Sequence, residues 1–129
     1  MAARTSAATA ADVKTLVAFR FGGGADKKRR LVVAMIAGST SNSTTDTPWN
    51  IGSTAGDFPA SAFGFTKIES CSNLMIYTMA SGAGLRIALA APDALGTSIL
   101  LSDTGATAGA VTDIALAYTE SAQITVVGY

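Results

Sequence analysis

Histidine is missing from this 129-residue chain, and Cys71 is its only cysteine. These absences exclude a Ser-His-Asp triad, Cys-His catalysis, histidine-ligated metals and a disulfide within the chain. A lone cysteine is most often a small buried hydrophobic residue, so we predict a structural role for Cys71. A Ser-Lys nucleophile would need a lysine in a recognisable motif, and none of the four lysines lies in one: Lys14, Lys27, Lys28 and Lys67. The sequence therefore predicts no enzymatic activity and no catalytic residues.

Charge is also scarce, because only 14% of the residues are charged and nine basic residues balance nine acidic ones. A nucleic-acid-binding protein usually carries a basic patch, so we predict no nucleic-acid partner. Most carboxylates lie beside turn-forming residues, with the spacing of neither a glycosidase pair nor a calcium loop. We accordingly predict no metal site and no cofactor.

Long apolar runs are absent, since no stretch approaches the roughly 18 uncharged residues of a membrane span. The segment between Arg4 and Asp12 lacks the apolar core of a signal peptide. We therefore expect neither a membrane partner nor export by a standard signal.

Small residues are abundant instead, with 25 Ala, 13 Gly and 28 Ser or Thr. The hydrophobic fraction is 49% and includes enough Val, Ile, Leu and Phe for a modest, tightly packed core. The length suits one domain. We predict an N-terminal arm over residues 1–11, which shows no strand alternation, followed by a single β domain over residues 12–129.

The opening strands give the clearest local pattern. Residues 13–21 alternate as a strand with one buried face would, and residues 30–37 form a continuous β-branched run. Between them, Gly22–Asp26 predicts the turn of a hairpin. The glycines could also cradle a phosphate, but the Walker spacing is missing and the loop leads into a strand. The predicted buried face of the first strand consists of Val13, Thr15, Val17, Phe19 and Phe21.

The rest of the chain alternates short strands with turn signals. Residues 60–64 could form one helical turn, and Phe58, Phe63 and Phe65 are expected to anchor this region in the core. Residues 38–57 predict a long polar loop, whereas residues 111–118 fit either a strand or an ordered connection. Further strands are predicted over residues 65–71, 74–80, 85–91, 97–102 and 123–129. About seven to eight short strands without a helical period predict an all-β fold, an antiparallel β-sandwich or jelly-roll-like barrel.

Contact residues are expected in three places. The arm could dock on a neighbour or fray, and the basic turn after the glycines could be solvated or meet an acidic patch on a partner. Trp49 interrupts the polar loop, as a contact residue or a lid over the fold would. The candidate partner-contact residues are Ala2, Ala3, Arg4, Thr5, Lys27, Lys28, Arg29 and Trp49.

Several segments together carry a resemblance to a known family. They are the Ala/Thr-rich arm, the first strand and glycine turn leading into Arg29-Arg30-Leu31-Val32-Val33, residues 60–69, and the closing segments 85–90, 97–103 and 124–129. In these segments the chain resembles the small capsid decoration, or cement, proteins of tailed bacteriophages, and the resemblance covers most of residues 12–129.

This resemblance implies a dimeric or trimeric β protein on the outside of the virion capsid, assembled in the host cytoplasm. It would bridge major capsid protein subunits against internal DNA pressure, without chemistry. The alternative is a carbohydrate- or receptor-binding module of a head fibre or tail, although that function favours clustered exposed aromatics and carboxylates.

Overall fold

A computed structural model describes residues 7–21, 29–37, 49–51, 56–78, 86–103, 114–116 and 120–129. In these ranges the chain forms ten β-strands and two short 3₁₀ turns, Ala10–Asp12 and Ala60–Phe63. The all-β prediction is confirmed. The strands are β1 (Val13–Phe21), β2 (Arg29–Ala37), β3 (Trp49–Ile51), β4 (Phe58–Pro59), β5 (Ile68–Cys71), β6 (Leu74–Thr78), β7 (Arg86–Pro92), β8 (Ser98–Asp103), β9 (Ile114–Leu116) and β10 (Glu120–Gly128).

Eight strands form one antiparallel sheet that curls as a half-barrel. Its order is β1-β2-β10-β6-β7-β8-β4, and β5 also pairs with β10. The predicted hairpin is confirmed, because β1 and β2 pair over their lengths. The predicted turn at Gly22–Asp26 lies outside the described residues. Three of the eight described pairings join strands consecutive in sequence, namely β1–β2, β6–β7 and β7–β8, and the other five are long-range.

One edge of β10 is shared by β5 and β6. Val126 pairs with Cys71 in β5, and Gln123 pairs with Met75 in β6. Between β5 and β6, Ser72 keeps the chain hydrogen-bonded to β10. Its backbone N–H donates to Thr125 O at 2.9 Å, and its Oγ accepts from Thr125 N at 3.0 Å. Residues 68–78 therefore follow β10 as one interrupted strand.

The inner face of the sheet is filled by two segments of the same chain. Alternate residues of β2, β10, β6, β7 and β8 point inwards and are buried. They pack with Ala8 and with the segment 58–68 into one cluster, which contains Phe58, Phe63 and Phe65 as predicted. The 3₁₀ turn ends at Gly64, whose φ of 79° is the left-handed conformation that favours glycine.

The residues just before β1 pack against the domain. Ala8 is buried, and its N–H donates to Asp57 O at 2.7 Å. The buried carboxylate of Asp12 accepts from Thr9 N at 2.8 Å and from Thr9 Oγ1 at 3.2 Å, which stabilises the turn. The predicted arm therefore joins the domain from Ala7 onwards, and residues 1–6 lie outside the described part.

A small second sheet joins a region predicted as a loop, residues 38–57, to one left open between a strand and a connection, residues 111–118. Trp49–Ile51 pairs with Ile114–Leu116 to form the two-stranded sheet β3-β9. The prediction of an unbroken loop over residues 38–57 is corrected here, because aromatic and β-branched residues in its middle pair with a distant strand. Residues 111–118 likewise contain a strand.

Both helices in the described part of the chain are single 3₁₀ turns, and neither has the length or the apolar run to span a bilayer.

Candidate interaction surface

A bulge in β1 decides which of its residues face the core. Before the bulge, Thr15 pairs with the buried Ala34; after it, Val17 pairs with Val33 on the opposite side of the sheet. The extra residue, Leu16, reverses the alternation. The prediction that Val17, Phe19 and Phe21 are buried is therefore wrong. Val13 and Thr15 lie on the inner side, where Val13 is partly buried but Thr15 is exposed, so the predicted burial of Thr15 is wrong as well.

We define the outer face as thirteen side chains that point away from the core on six neighbouring strands. Lys14, Arg29 and Ser121 also point outwards, and they lie at its margin. Within the outer face, Gln123 and Thr125 are the two polar members, and the others are apolar. The members lie on β1, β2, β10, β6, β7 and β8, which is the order of these strands across the sheet. The outer face consists of Val17, Phe19, Phe21, Leu31, Val33, Met35, Gln123, Thr125, Val127, Met75, Ile87, Leu89 and Leu100.

The strand register places these side chains in continuous rows. Phe19 lies beside Leu31, which lies beside Val127. A second row runs from Met35 through Gln123 and Met75 to Ile87. Cross-strand neighbours on one face lie about 4.5–5.5 Å apart, so each row forms a connected surface.

Six of the thirteen members of the outer face are exposed, and the other seven are half-buried. Phe19 is 61% exposed, Leu89 52% and Met75 46%. One face of an antiparallel sheet is normally polar when it borders water. A connected apolar face of this kind usually marks an interaction site rather than a solvent boundary.

Charged side chains lie at the rim of the outer face. Arg29, which pairs with Phe21, donates from Nε to Glu69 Oε1 at 2.9 Å. Because both side chains are partly exposed, this ion pair contributes about 0–1 kcal/mol of stability. Lys14 lies beside Met35 at the other end of β1. The rim is thus polar around an apolar centre, which is the usual anatomy of a protein interface.

The two ends of the sheet differ in how they are covered. β4 is only two residues long, includes Pro59, and is followed by a backbone bond from Ala60 N to Thr97 O at 2.8 Å. β1 is nine residues long, and β2 is its one partner among the strands described. A long, uncovered edge strand exposes unpaired N–H and C=O groups that can accept another strand. Within the described part of the chain, the open edge of the sheet is therefore β1.

Arg30, at the start of β2, contacts the segment 58–68 that fills the inner face of the sheet. Its Nη2 donates to the carbonyl oxygen of Gly64, and its guanidinium lies 4.9 Å from the ring centroid of Phe65. The cation–π contact and the charged hydrogen bond stabilise the start of β2, a strand whose alternate residues belong to the outer face. Sequence reasoning missed this role, because the partner residues lie more than thirty positions away in the chain.

Of the eight predicted contact residues, only Arg29 and Trp49 lie in the described part of the chain. Ala2, Ala3, Arg4, Thr5, Lys27 and Lys28 lie outside the described residues. Arg29 lies at the rim of the outer face, in its ion pair with Glu69. Trp49 lies in β3, where its backbone pairs with Leu116.

Comparison of the chain with protein-family models, curated proteins and solved structures gives no match. The functional conclusion therefore depends on the chemistry and geometry of the surface itself. Among the described residues, no group of three or more Cys, Asp and Glu side chains is placed to hold a metal ion.

Cys71 is half-buried beside the core cluster. Burial raises the pKa of its thiol to about 11. At pH 8 the thiolate fraction should then be about a hundredfold below that of an ordinary cysteine. Because the thiolate is the reactive form, the thiol should react correspondingly slowly.

We expect Cys71 to react with a thiol reagent about a hundredfold more slowly in the folded protein than in denaturant at the same pH. Stopped-flow absorbance with a disulfide reagent would measure both rates. A folded-state rate close to that of the denatured chain would contradict this expectation and show that the Cys71 thiol is reactive in the folded protein.

Proposed function

We propose that this chain is a non-enzymatic structural protein of a tailed-bacteriophage virion. It binds the outer surface of the head, where it bridges and stabilises neighbouring major capsid protein subunits. The observation that carries the proposal is the open edge of β1, beside the segment that joins residues 1–6 to the domain. The resemblance of the sequence to capsid decoration proteins supplies the identity of the partner.

The β1 edge supports attachment through backbone hydrogen bonds. Beyond the bulge, residues Val17–Phe21 offer an uninterrupted stretch without proline or glycine. An extended capsid segment could add to this edge as a further strand, with backbone bonds providing affinity and alternate side chains providing specificity. Such binding needs no pocket, metal or nucleophile.

The start of the described chain supports a role for the residues before Ala7. Ala8 is fixed by burial and by its bond to Asp57, and β1 begins five residues later. The described chain thus begins at a point fixed on the domain and close in sequence to the open edge. An arm there could reach a second capsid subunit while β1 holds the first.

The balanced charge of the chain is compatible with a dense arrangement on a capsid. Many copies of a neutral protein can lie side by side without net electrostatic repulsion.

The test is to mix the purified chain with expanded, empty phage heads and measure the bound copies by co-sedimentation. We expect saturable binding at a copy number compatible with the head's symmetry. Deleting residues 2–6 should weaken binding at least about tenfold and leave the melting temperature unchanged, because it spares Ala8 and the turn. The matched control replaces residues 2–6 with Gly and Ser, which keeps the length and removes the side chains.

Each outcome separates one part of the proposal from another. Unchanged affinity in the deletion variant would remove the arm and leave the β1 edge as the attachment site. Absence of binding by the full chain would remove the capsid function. Binding of the isolated chain to glycans or host cells would then support the alternative, a carbohydrate- or receptor-binding module.

A further inference from the structure

We propose that two copies of this chain pack against each other through the outer face, as a two-fold symmetric dimer. The proposal goes beyond capsid attachment and does not depend on it. It concerns the face of the sheet rather than the backbone edge of β1, although Val17, Phe19 and Phe21 belong to both, and it can be tested on the purified chain alone.

The first argument is the chemistry of the outer face. Its apolar side chains extend over six neighbouring strands, and its two polar members, Gln123 and Thr125, carry no charge. The exposed Phe19 and Leu89 lie towards opposite sides of this surface, so the apolar area is broad rather than a single protruding residue. Sheet packing buries such faces about 10 Å apart.

The second argument is size. At about 3.3 Å per residue along a strand and about 4.8 Å between strands, the six strands project roughly 700 Å². A specific interface needs at least about 1,000 Å² in total, or about 500 Å² from each copy. About two-thirds of the outer face is therefore enough, even though a curled sheet cannot bring all of it into contact at once.

The third argument identifies the occupant as a second copy. A two-fold interface places the same patch on both sides, so the patch must complement itself. An uncharged apolar face does so without an oppositely charged partner. The chain carries no net charge, the rim ion pair between Arg29 and Glu69 is neutral within each copy, and the charged Lys14 lies at the margin of the face, at the far end of β1. Two outer faces can therefore approach without net electrostatic repulsion.

The experiment is sedimentation equilibrium on the full chain, compared with two variants of the outer face. Phe19→Glu and Leu89→Glu each place a charge on it, at exposed positions where the fold should tolerate the change. Leu95→Glu is the matched control, because Leu95 is 75% exposed but lies in the turn between β7 and β8. Circular dichroism would check that each variant is folded.

We expect the wild-type chain to sediment at about 26 kDa, the mass of two chains, at about 50 μM. Each outer-face variant should weaken dimerisation about thirtyfold or more, whereas the Leu95 variant should match the wild type.

Three results would overturn the proposal. The first is a wild-type chain that stays at 13.0 kDa over the whole concentration range. The second is a dimer that persists in both outer-face variants, and the third is an assembly of more than two chains. Head binding by a monomer that is lost in Phe19→Glu would assign the outer face to a capsid subunit instead.

Discussion

Replacing Gly128 with Ala should lower the free energy of unfolding by about 3 kcal/mol, because the position has no room for a Cβ atom. Gly128 lies near the end of β10, where it pairs with Arg30 in β2 and with Ile68 in β5. A Cβ there would overlap the carbonyl oxygen of Lys67 and lie 3.1 Å from Ile68 Cα. The neighbouring backbone cannot easily yield, since Tyr129 N donates to Lys67 O at 3.0 Å and Lys67 N donates to Tyr129 O at 2.9 Å.

Denaturant unfolding of the wild type and the variant would measure this difference. The matched control is Gly56→Ala, where a Cβ would meet nothing within 4 Å but φ is +96°. That conformation should cost an alanine about 1 kcal/mol. The φ of Gly128 is not positive, so its requirement is for space alone. A loss at Gly128 no greater than that at Gly56 would contradict the close approach of the two strands.

Gly96 also lies against the Lys67–Ile68 backbone, which it approaches from the turn between β7 and β8. Ile68 N donates to Gly96 O at 2.7 Å, and a Cβ on Gly96 would lie 2.6 Å from Ile68 O. Gly96 belongs to the turn between β7 and β8, whereas Gly128 belongs to β10. The Lys67–Ile68 backbone therefore ties two parts of the curled sheet together, and the two glycines permit this contact. A stable sheet in turn keeps the outer face in one shape.

The local elements could be predicted from the sequence because their signals are local. Alternation over residues 13–21 gave the bounds of β1, and the apolar run beginning near Arg30 gave β2 to within one residue. The helical turn before Gly64 was also predicted correctly. Each of these depends on residues a few positions apart, where strand propensity and turn chemistry agree.

The outer face could not be predicted in the same way. One extra residue at Leu16 moved Phe19 and Phe21 to the opposite side, and no alternation rule signals a bulge. A usable signal lay in β2, where apolar residues occupy every position from Leu31 to Ala37. A strand with two apolar faces must be covered on both sides, so this run indicated a second buried surface.

The open edge also required the full topology. The order of strands in the sheet places β1 at one end and Pro59 at the other, although the two are far apart in sequence. β3 and β9 pair across more than sixty residues. Long-range pairing of this kind depends on the whole packing arrangement, which a single sequence read by its periodicity does not contain.

Replacing Phe58 with Ala should lower the free energy of unfolding by about 4 kcal/mol. Phe58 is 1% exposed and belongs to the cluster that fills the inner face. Its strand, β4, pairs with β8 through only two residues. Packing of Phe58 in the core cluster is therefore the main contact that keeps β4 in place. Removing the ring would leave a cavity between the sheet and the segment 58–68. Urea unfolding of the two proteins would measure the loss.

The same substitution at Phe19 distinguishes an effect on stability from an effect on dimerisation. Phe19→Ala removes an identical ring from the exposed outer face, so at low protein concentration it should change the free energy of unfolding by less than about 1 kcal/mol. At high concentration the dimer adds stability by mass action, and the variant should lose that increment. The Phe58 variant should instead show its full loss at every concentration. If Phe19→Ala destabilised the dilute chain as much as Phe58→Ala, the ring would belong to the core and the outer face would not be a free surface.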